Sequence, residues 1–119
     1  MITPKPVYKR GDVVLVLFPN SNLRTAKTRP VLVVQADNLQ TGLSQVIVAM
    51  VSSQMSRANH RSRVTVIQSS PEGQQSGLLS DSVVMTDNLA TITDSAIYRV
   101  IGSLPMADVD TSLRQTLNL

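Results

Sequence analysis

Short runs of aliphatic and β-branched residues, separated by polar stretches, are the feature that most restricts the fold of this chain. The first run, from Val13 to Phe18, is opened by Arg10-Gly11-Asp12 and closed by Pro19-Asn20, as expected of a buried strand between two turns. The other runs cover 31–34, 46–51, 64–67, 83–85 and 97–101. They do not alternate with helical segments at the spacing of a parallel doubly wound sheet. The pattern predicts a mainly β protein, built as a small, strongly curved antiparallel barrel or as two packed sheets.

The end of the chain is predicted to be a helix. After Pro105, which suits the first helical turn, apolar residues recur at spacings of three and four and form one stripe. These residues are Met106, Val109, Leu113 and Leu117. A second, short helix is expected after Ala36-Asp37-Asn38, and the polar stretch from Ser69 to Ser76 is expected to be mobile.

Composition excludes several classes of function. With 119 residues, 42% of them apolar, the chain fits one domain spanning 1–119 with a substantial core and is not disordered. It contains no cysteine, which excludes disulfides, thiolate metal sites and cysteine nucleophiles. It contains one histidine, His60, so any chemistry that needs histidine rests on that residue. No apolar run approaches the roughly 20 residues that span a bilayer, and the N-terminus lacks the apolar stretch of a secretory signal. A soluble cytoplasmic protein is expected.

Charge is distributed unevenly along the sequence. Residues 1–63 contain nine Lys and Arg against two Asp, a net charge of +7, whereas residues 64–119 have a net charge of −4. Such asymmetry predicts a basic surface that attracts an anionic polymer, unless the charges interleave after folding. Two loops carry most of the cations, one from Pro19 to Arg29 and one from Ser52 to Arg63.

Four residues could carry chemistry. Arg29 precedes Pro30, which forces it into an extended conformation at the predicted start of a strand, so it is either a fixed phosphate-binding group or an ordinary surface arginine. Ser52, at the end of the third run, could cap a turn or donate to a phosphate oxygen. Asp87 could form a turn with Asn88 or face the basic loops. His60 is more often solvated than catalytic in such a loop.

Four segments in order, RGDVVLVLFPNSN, KTRPVLVVQAD, VIVAMVSSQ and GLLSDSVVMTDNLATIT, resemble the MazF/PemK (Kid) toxins of type II toxin–antitoxin systems. The resemblance covers the chain from about Lys9 to the last helix. It implies an SH3-like barrel with a C-terminal helix that acts as a homodimer. It also implies an endoribonuclease that requires no metal or other cofactor, cuts single-stranded RNA at a short sequence, and leaves a cyclic or 3′ phosphate and a 5′-hydroxyl. Its expected partner is an acidic antitoxin.

The family's catalytic positions fall on three residues of this chain. The arginine before proline is Arg29, the hydroxyl residue after the third strand is Ser52, and the carboxylate that some members use as a candidate base is Asp87. Because guanidinium remains protonated near pH 7, stabilising phosphate charge is the expected role of Arg29. The residues expected to bind RNA are Arg24, Lys27, Ser53, Gln54, Arg57 and Arg61.

The sequence also departs from the family. Kid-type members carry an arginine two residues before the carboxylate, where this chain has Met85, and an R-T-I-D segment where it has Ala90-Thr91-Ile92-Thr93. These changes keep two alternatives open. One is a CcdB-like toxin on the same fold that poisons DNA gyrase through the C-terminal helix, and the other is a catalytically weakened homologue that binds RNA or antitoxin.

Overall fold

A computed structural model describes residues 7–19 and 26–119 of the chain, and six strands and two α-helices lie in this part. The strands are β1 (Asp12–Pro19), β2 (Ala26–Val33), β3 (Gln45–Ser52), β4 (Arg63–Val66), β5 (Ser82–Thr93) and β6 (Ile97–Ser103). The helices are α1 (Pro71–Ser76) and α2 (Ala107–Leu117), and 3₁₀ turns cover Met55–Arg57 and Asp94–Ala96.

All six strands form one antiparallel sheet in the order β4-β5-β3-β2-β1-β6. The sheet curls because β5 bends against β3. Met50 of β3 pairs with Met85, but its neighbour Ala49 pairs with Leu89, so three residues of β5 bulge out between the two pairs. A bulge bends its strand and increases the local twist. The predicted mainly β fold with a C-terminal helix is therefore confirmed.

Alternating residues of the strands pack into two clusters on opposite faces of the sheet, because neighbouring side chains of a strand point to opposite sides. The first core, against which α2 packs, contains Val13, Leu32, Val34, Ala49, Val66, Leu78, Val84, Leu104 and Val109. The second core contains Val14, Val16, Val31, Val33, Val46, Val48 and Ile97. The sequence runs are continuous rather than alternating since both faces of the central strands are buried.

Two local predictions were wrong. No helix follows Ala36-Asp37-Asn38; Asn38 and Gln40 have left-handed φ values of 54° and 55°, which interrupt a right-handed helix. The stretch from Ser69 to Ser76, expected to be mobile, contains α1. The Ser70 hydroxyl accepts a hydrogen bond from Gly73 N at 3.0 Å at the start of this helix.

Strand lengths also differ from the sequence prediction. The second strand begins at Ala26 rather than at residue 31, because the β1–β2 hairpin continues to the pair Pro19–Ala26. The fifth strand extends to Thr93 instead of ending at residue 85, since it resumes pairing with β3 after the bulge. Asp87, which could have formed a turn with Asn88 or faced the basic loops, lies in that bulge.

The C-terminal helix covers the first core with most of its predicted stripe. Val109 is buried, and Met106 and Leu113 are partly buried against the cluster, but Leu117 is 50% exposed. No helix in the described ranges is long and apolar enough to cross a membrane.

A buried cluster of hydroxyl groups joins α2 to the sheet. Thr86 Oγ1 lies 2.9 Å from Ser112 Oγ and 2.8 Å from Thr116 Oγ1. It also donates to the Ser62 carbonyl at 2.6 Å, and Ser112 Oγ donates to the Arg61 carbonyl at 2.8 Å. These bonds hold the backbone just before β4 against the helix.

Thr86→Val is expected to lower the free energy of unfolding by about 1–3 kcal/mol, because the partly buried Thr116 hydroxyl loses its acceptor and the Ser62 carbonyl loses one of its two donors. Thr91→Val, an exposed change on the same strand, should alter it by about 0.5 kcal/mol or less. Urea denaturation of the two variants measures the difference. Equal stability of the two variants would show that the cluster contributes nothing.

Candidate phosphate-binding site

Arg29 lies within β2, opposite Val16 of β1, rather than before the strand. It is exposed, and its side chain shares a face with Val31 and Val33 of the second core, since alternate residues point the same way. Proline at position 30 has no N–H to donate, and the ladder between β2 and β3 begins only at Val31. Arg29 thus extends from β2 at a point where the strand pairs with β1 but no longer with β3.

Ser52 ends β3 on the same face as Arg29. The register that pairs Val31 with Met50, continued by two residues, sets Arg29 opposite Ser52. Ser52 is half-buried, and its Oγ accepts a hydrogen bond from Gln54 N at 3.1 Å. The capping interpretation is therefore correct, yet a hydroxyl that accepts still has its own proton to donate. One cation and one hydroxyl donor thus lie on the same face of the sheet, just beyond the last β2–β3 pair.

The basic segment after β3 follows Ser52 directly in the chain, and its far end, at Arg61, lies against α2. Ser53, Gln54, Arg57 and Arg61 are exposed there, as is Lys27 on β2. Arg24, the remaining predicted RNA-binding residue, lies outside the described residues. Within residues 7–19 and 26–119, no carboxylate approaches within 4.0 Å of Lys27, Arg29, Arg57 or Arg61. Their charges are available to an anionic ligand.

Other charges do interleave between the two halves of the sequence. Arg10 pairs with Asp110 at 2.7 Å, and Arg63 pairs with Asp87 at 2.7 Å. Each pair joins a cation of the basic half to a carboxylate of the acidic half. The basic surface is consequently narrower than the sequence implies, and among the described residues of the basic half the cations without a carboxylate partner are Lys27, Arg29, Arg57 and Arg61.

Asp87, the predicted candidate base, has both carboxylate oxygens engaged by one arginine. Arg63 Nε donates to Oδ1 at 3.3 Å and Nη2 donates to Oδ2 at 2.7 Å, which is a two-pronged arrangement. The hydrogen bond from Arg63 lowers the pKa of Asp87 below its usual range. The same contact raises the pKa of Arg63.

This ion pair makes stability depend on pH in acid. Since folding lowers the pKa of Asp87 from 3.8, its stabilising effect is complete above that pH and is lost as the pH falls through the folded-state pKa. Asp87→Asn should therefore lower the melting temperature at pH 7, and the gap from the wild type should close below pH 3.8. Thermal unfolding followed by circular dichroism measures both.

Arg63→Gln provides the matched background for that measurement. If the effect of Asp87 comes from the ion pair, adding Asp87→Asn to Arg63→Gln should change the melting temperature much less than it does in the wild type. An equal drop in both backgrounds would assign the effect to another contact of Asp87.

Sequence reasoning missed Arg63 as a site residue. It opens β4 opposite Met85, and its Nη1 donates to the Arg57 carbonyl at 3.2 Å. Arg57 Nη1 in turn lies 3.5 Å from Met85 Sδ. The clustering of Arg57, Arg61 and Arg63 was visible in the sequence, but the partner of each was not.

His60 is held by the residue two positions later. Its Nδ1 accepts from Ser62 N at 3.1 Å and lies 2.6 Å from Ser62 Oγ. These contacts orient the exposed ring within the turn before β4. In the described part of the chain, no group of three or more His, Asp or Glu side chains is placed to hold a metal ion.

Comparison with known proteins agrees with this architecture. The family model for PemK-like, MazF-like toxins of type II toxin–antitoxin systems matches residues 9–118. A search of curated proteins finds no significant match.

Several solved structures share the fold. A mycobacterial endoribonuclease in complex with its cognate antitoxin superposes with a TM-score of 0.70 at 19% identity, covering 95% of this chain and 97% of that chain. The Mycobacterium tuberculosis toxin MazF-mt6 has a TM-score of 0.68 at 22% identity, with 91% and 97% covered. A MazE–MazF structure from Deinococcus radiodurans has a TM-score of 0.72 at 18% identity, with 95% and 97% covered. Because the family model spans nearly the whole sequence, the chain belongs to the PemK-like, MazF-like toxins of type II toxin–antitoxin systems.

Proposed function

We propose that this toxin is an endoribonuclease that cuts single-stranded RNA at a short sequence without a metal ion and thereby arrests translation. The observation that carries the proposal is that Arg29 and Ser52 lie on one sheet face, each two residues beyond the last β2–β3 pair, Val31–Met50. Support also comes from two similar structures that are named endoribonucleases.

The chemistry asked of these residues is limited because RNA supplies its own nucleophile. The 2′-hydroxyl gives up its proton to a base and attacks the adjacent phosphorus, the bond to the 5′-oxygen breaks, and the leaving 5′-oxygen takes up a proton. The products are a 2′,3′-cyclic phosphate and a 5′-hydroxyl. The protein must align the attack and stabilise the charge that develops on the non-bridging oxygens. Arg29 supplies the positive charge, and the free proton of Ser52 supplies a hydrogen bond.

Recognition of RNA is proposed to depend on hydrogen bonds and phosphate contacts. The chain has one Phe, two Tyr and no Trp, too few for an aromatic stacking platform. The unpaired cations Lys27, Arg57 and Arg61 would bind phosphates, so affinity should fall steeply with salt. Ser53 and Gln54, exposed next to Ser52, offer donors and acceptors to base edges.

The wild-type protein is expected to cleave a long single-stranded RNA in the presence of EDTA, because neither Arg29 nor Ser52 acts through a metal. Mapping both ends of the fragments should give 5′-hydroxyls and 2′,3′-cyclic or 3′ phosphates at a recurring short sequence. A substrate with a 2′-deoxy nucleotide at the cleavage position is the control and should remain intact. Cleavage only after addition of a divalent metal would contradict the proposal.

We also propose a homodimer and an acidic antitoxin that covers the Arg29 surface. The unpaired cations described above suit an acidic segment as well as they suit RNA, and similar structures are described as antitoxin complexes. The antitoxin should therefore inhibit RNA binding competitively. An antitoxin that binds equally well to the wild type and to a chain with Arg29, Arg57 and Arg61 replaced by alanine would contradict this part.

A further inference from the structure

We propose that Arg57 is a second phosphate-binding catalytic residue, and that Arg63 and Asp87 act as residues that position it. The inference rests on the proposed RNA cleavage. It assigns to the segment after β3 a second positive charge that contacts the phosphate together with Arg29. It also gives Asp87 a role different from the general base that the family resemblance implies.

The guanidinium of Arg57 contacts the sheet without being neutralised. Its Nη1 lies 3.5 Å from the sulfur of Met85, and a thioether is a weak acceptor that carries no charge. No carboxylate lies within 4.0 Å of Arg57 in the described ranges. Arg57 therefore keeps its full charge and most of its five N–H donors for an incoming anion.

Two further residues fix the backbone from which Arg57 extends. Arg63 Nη1 donates to the Arg57 carbonyl at 3.2 Å, and the other side of the Arg63 guanidinium is held by both oxygens of Asp87. This chain of contacts runs from the bulge of β5, through the start of β4, to the last residue of the 3₁₀ turn. A catalytic group held by such contacts loses little freedom when the substrate binds.

The sheet places Arg57 on the same face as Arg29. Val31, Met50 and Met85 form one row across β2, β3 and β5, and paired residues of neighbouring strands point to the same side. With a strand spacing of about 4.8 Å and a rise of about 3.4 Å per residue, the Cα atoms of Arg29 and Met85 are about 12 Å apart. Because the Arg57 guanidinium lies against Met85, a phosphate between the two positions can contact both arginines.

Asp87 is unsuited to remove the proton from the 2′-hydroxyl. Both of its oxygens accept hydrogen bonds from Arg63, and a carboxylate stabilised in its charged form is a weaker base. Its contribution to cleavage would instead pass through Arg63 to Arg57. A positioning role and a general-base role for Asp87 predict different pH–rate profiles and different effects of Asp87→Asn in double variants.

Single-turnover cleavage at saturating RNA in EDTA tests the role of Arg57. Arg57→Ala should slow cleavage by about 10²-fold, as expected for loss of one donor to a developing anion. Millimolar guanidinium should restore part of the rate. Arg57→Ala combined with Met85→Arg should also cleave faster than Arg57→Ala, because a cation then extends from the position over which Arg57 lies. Arg114→Ala, which removes one charge from the exposed end of α2, is the control and should cleave at the wild-type rate.

Asp87→Asn tests the positioning role. It should slow cleavage of the wild type about tenfold without changing the shape of the pH–rate profile, and should have little further effect in the Arg57→Ala background. Loss of the acidic limb of the profile, or an undiminished effect in that background, would identify Asp87 as the base and overturn the inference. A wild-type rate for Arg57→Ala, with Arg29→Ala inactive, would overturn it while the proposed function stands. Wild-type protein that does not cut RNA in EDTA would overturn the proposed function itself.

Discussion

Replacing Arg29 by alanine is expected to slow RNA cleavage by at least about 10²–10³-fold, because the developing phosphate charge loses a preorganised charged donor. The fold should persist, since the side chain is exposed and no carboxylate in the described residues lies within 4.0 Å of it. Single-turnover cleavage and the melting temperature, measured on the same sample, separate a catalytic loss from unfolding. Arg29→Ala that is stable and cleaves at the wild-type rate would remove the central residue of the proposal.

Arg29→Lys separates charge from geometry. Lysine keeps the positive charge but loses the planar fork that binds two phosphate oxygens at once. We therefore expect a cleavage rate between those of the wild type and Arg29→Ala. Binding of an uncleavable 2′-deoxy substrate should weaken much less than cleavage does, because the other unpaired cations still contact the phosphates. A parallel loss of binding and cleavage in both variants would make Arg29 a general affinity residue.

The positions of the strands were predictable because each contains a run of β-branched and aliphatic residues, and the central strands are buried on both faces. What the sequence did not reveal was how long two of them are. Ala26 to Arg29 is polar and basic, yet the hairpin with β1 continues through it. Likewise, β5 includes Asp87 and Asn88, residues typical of turns, because the bulge accommodates them and pairing resumes at Leu89. Both extensions depend on pairing with another strand, β1 or β3, and the residue pattern of the extended segment does not show that pairing.

The residues of the candidate site were also predictable only in part. Arg29 and Ser52 could be chosen from their positions at strand ends and from the family resemblance, and the structure has them on one face of the sheet beyond the last β2–β3 pair. Arg63 could not be separated from Arg57 and Arg61, since the three share one basic segment. Only the fold shows that Arg63 pairs with Asp87, whereas Arg57 and Arg61 have no carboxylate partner among residues 7–19 and 26–119. A sequence gives the number of charges, whereas their pairing is a property of the tertiary structure.

Gly77→Ala is expected to be among the most destabilising single substitutions in the described part of the chain. Gly77 ends α1 with a left-handed φ of 73°, and an added Cβ would lie 2.1 Å from the carbonyl oxygen of Ile101 in β6. The methyl group would have to displace strand backbone, which cannot move away as a flexible side chain can. We expect a loss of about 3 kcal/mol or more in the free energy of unfolding.

Gly42→Ala is the matched control, because it isolates the backbone conformation from the steric clash. Gly42 has a φ of 78°, but nothing lies within 4 Å of a Cβ added there. Gly42→Ala should lower the free energy of unfolding only by the strain of a non-glycine residue at a left-handed φ, about 1–2 kcal/mol. Urea denaturation of both variants gives the difference, which should be at least about 1 kcal/mol in favour of Gly42→Ala. Equal losses would mean that α1 moves away from β6 without cost, and the packing of α1 on the sheet would then contribute little to the stability of this toxin.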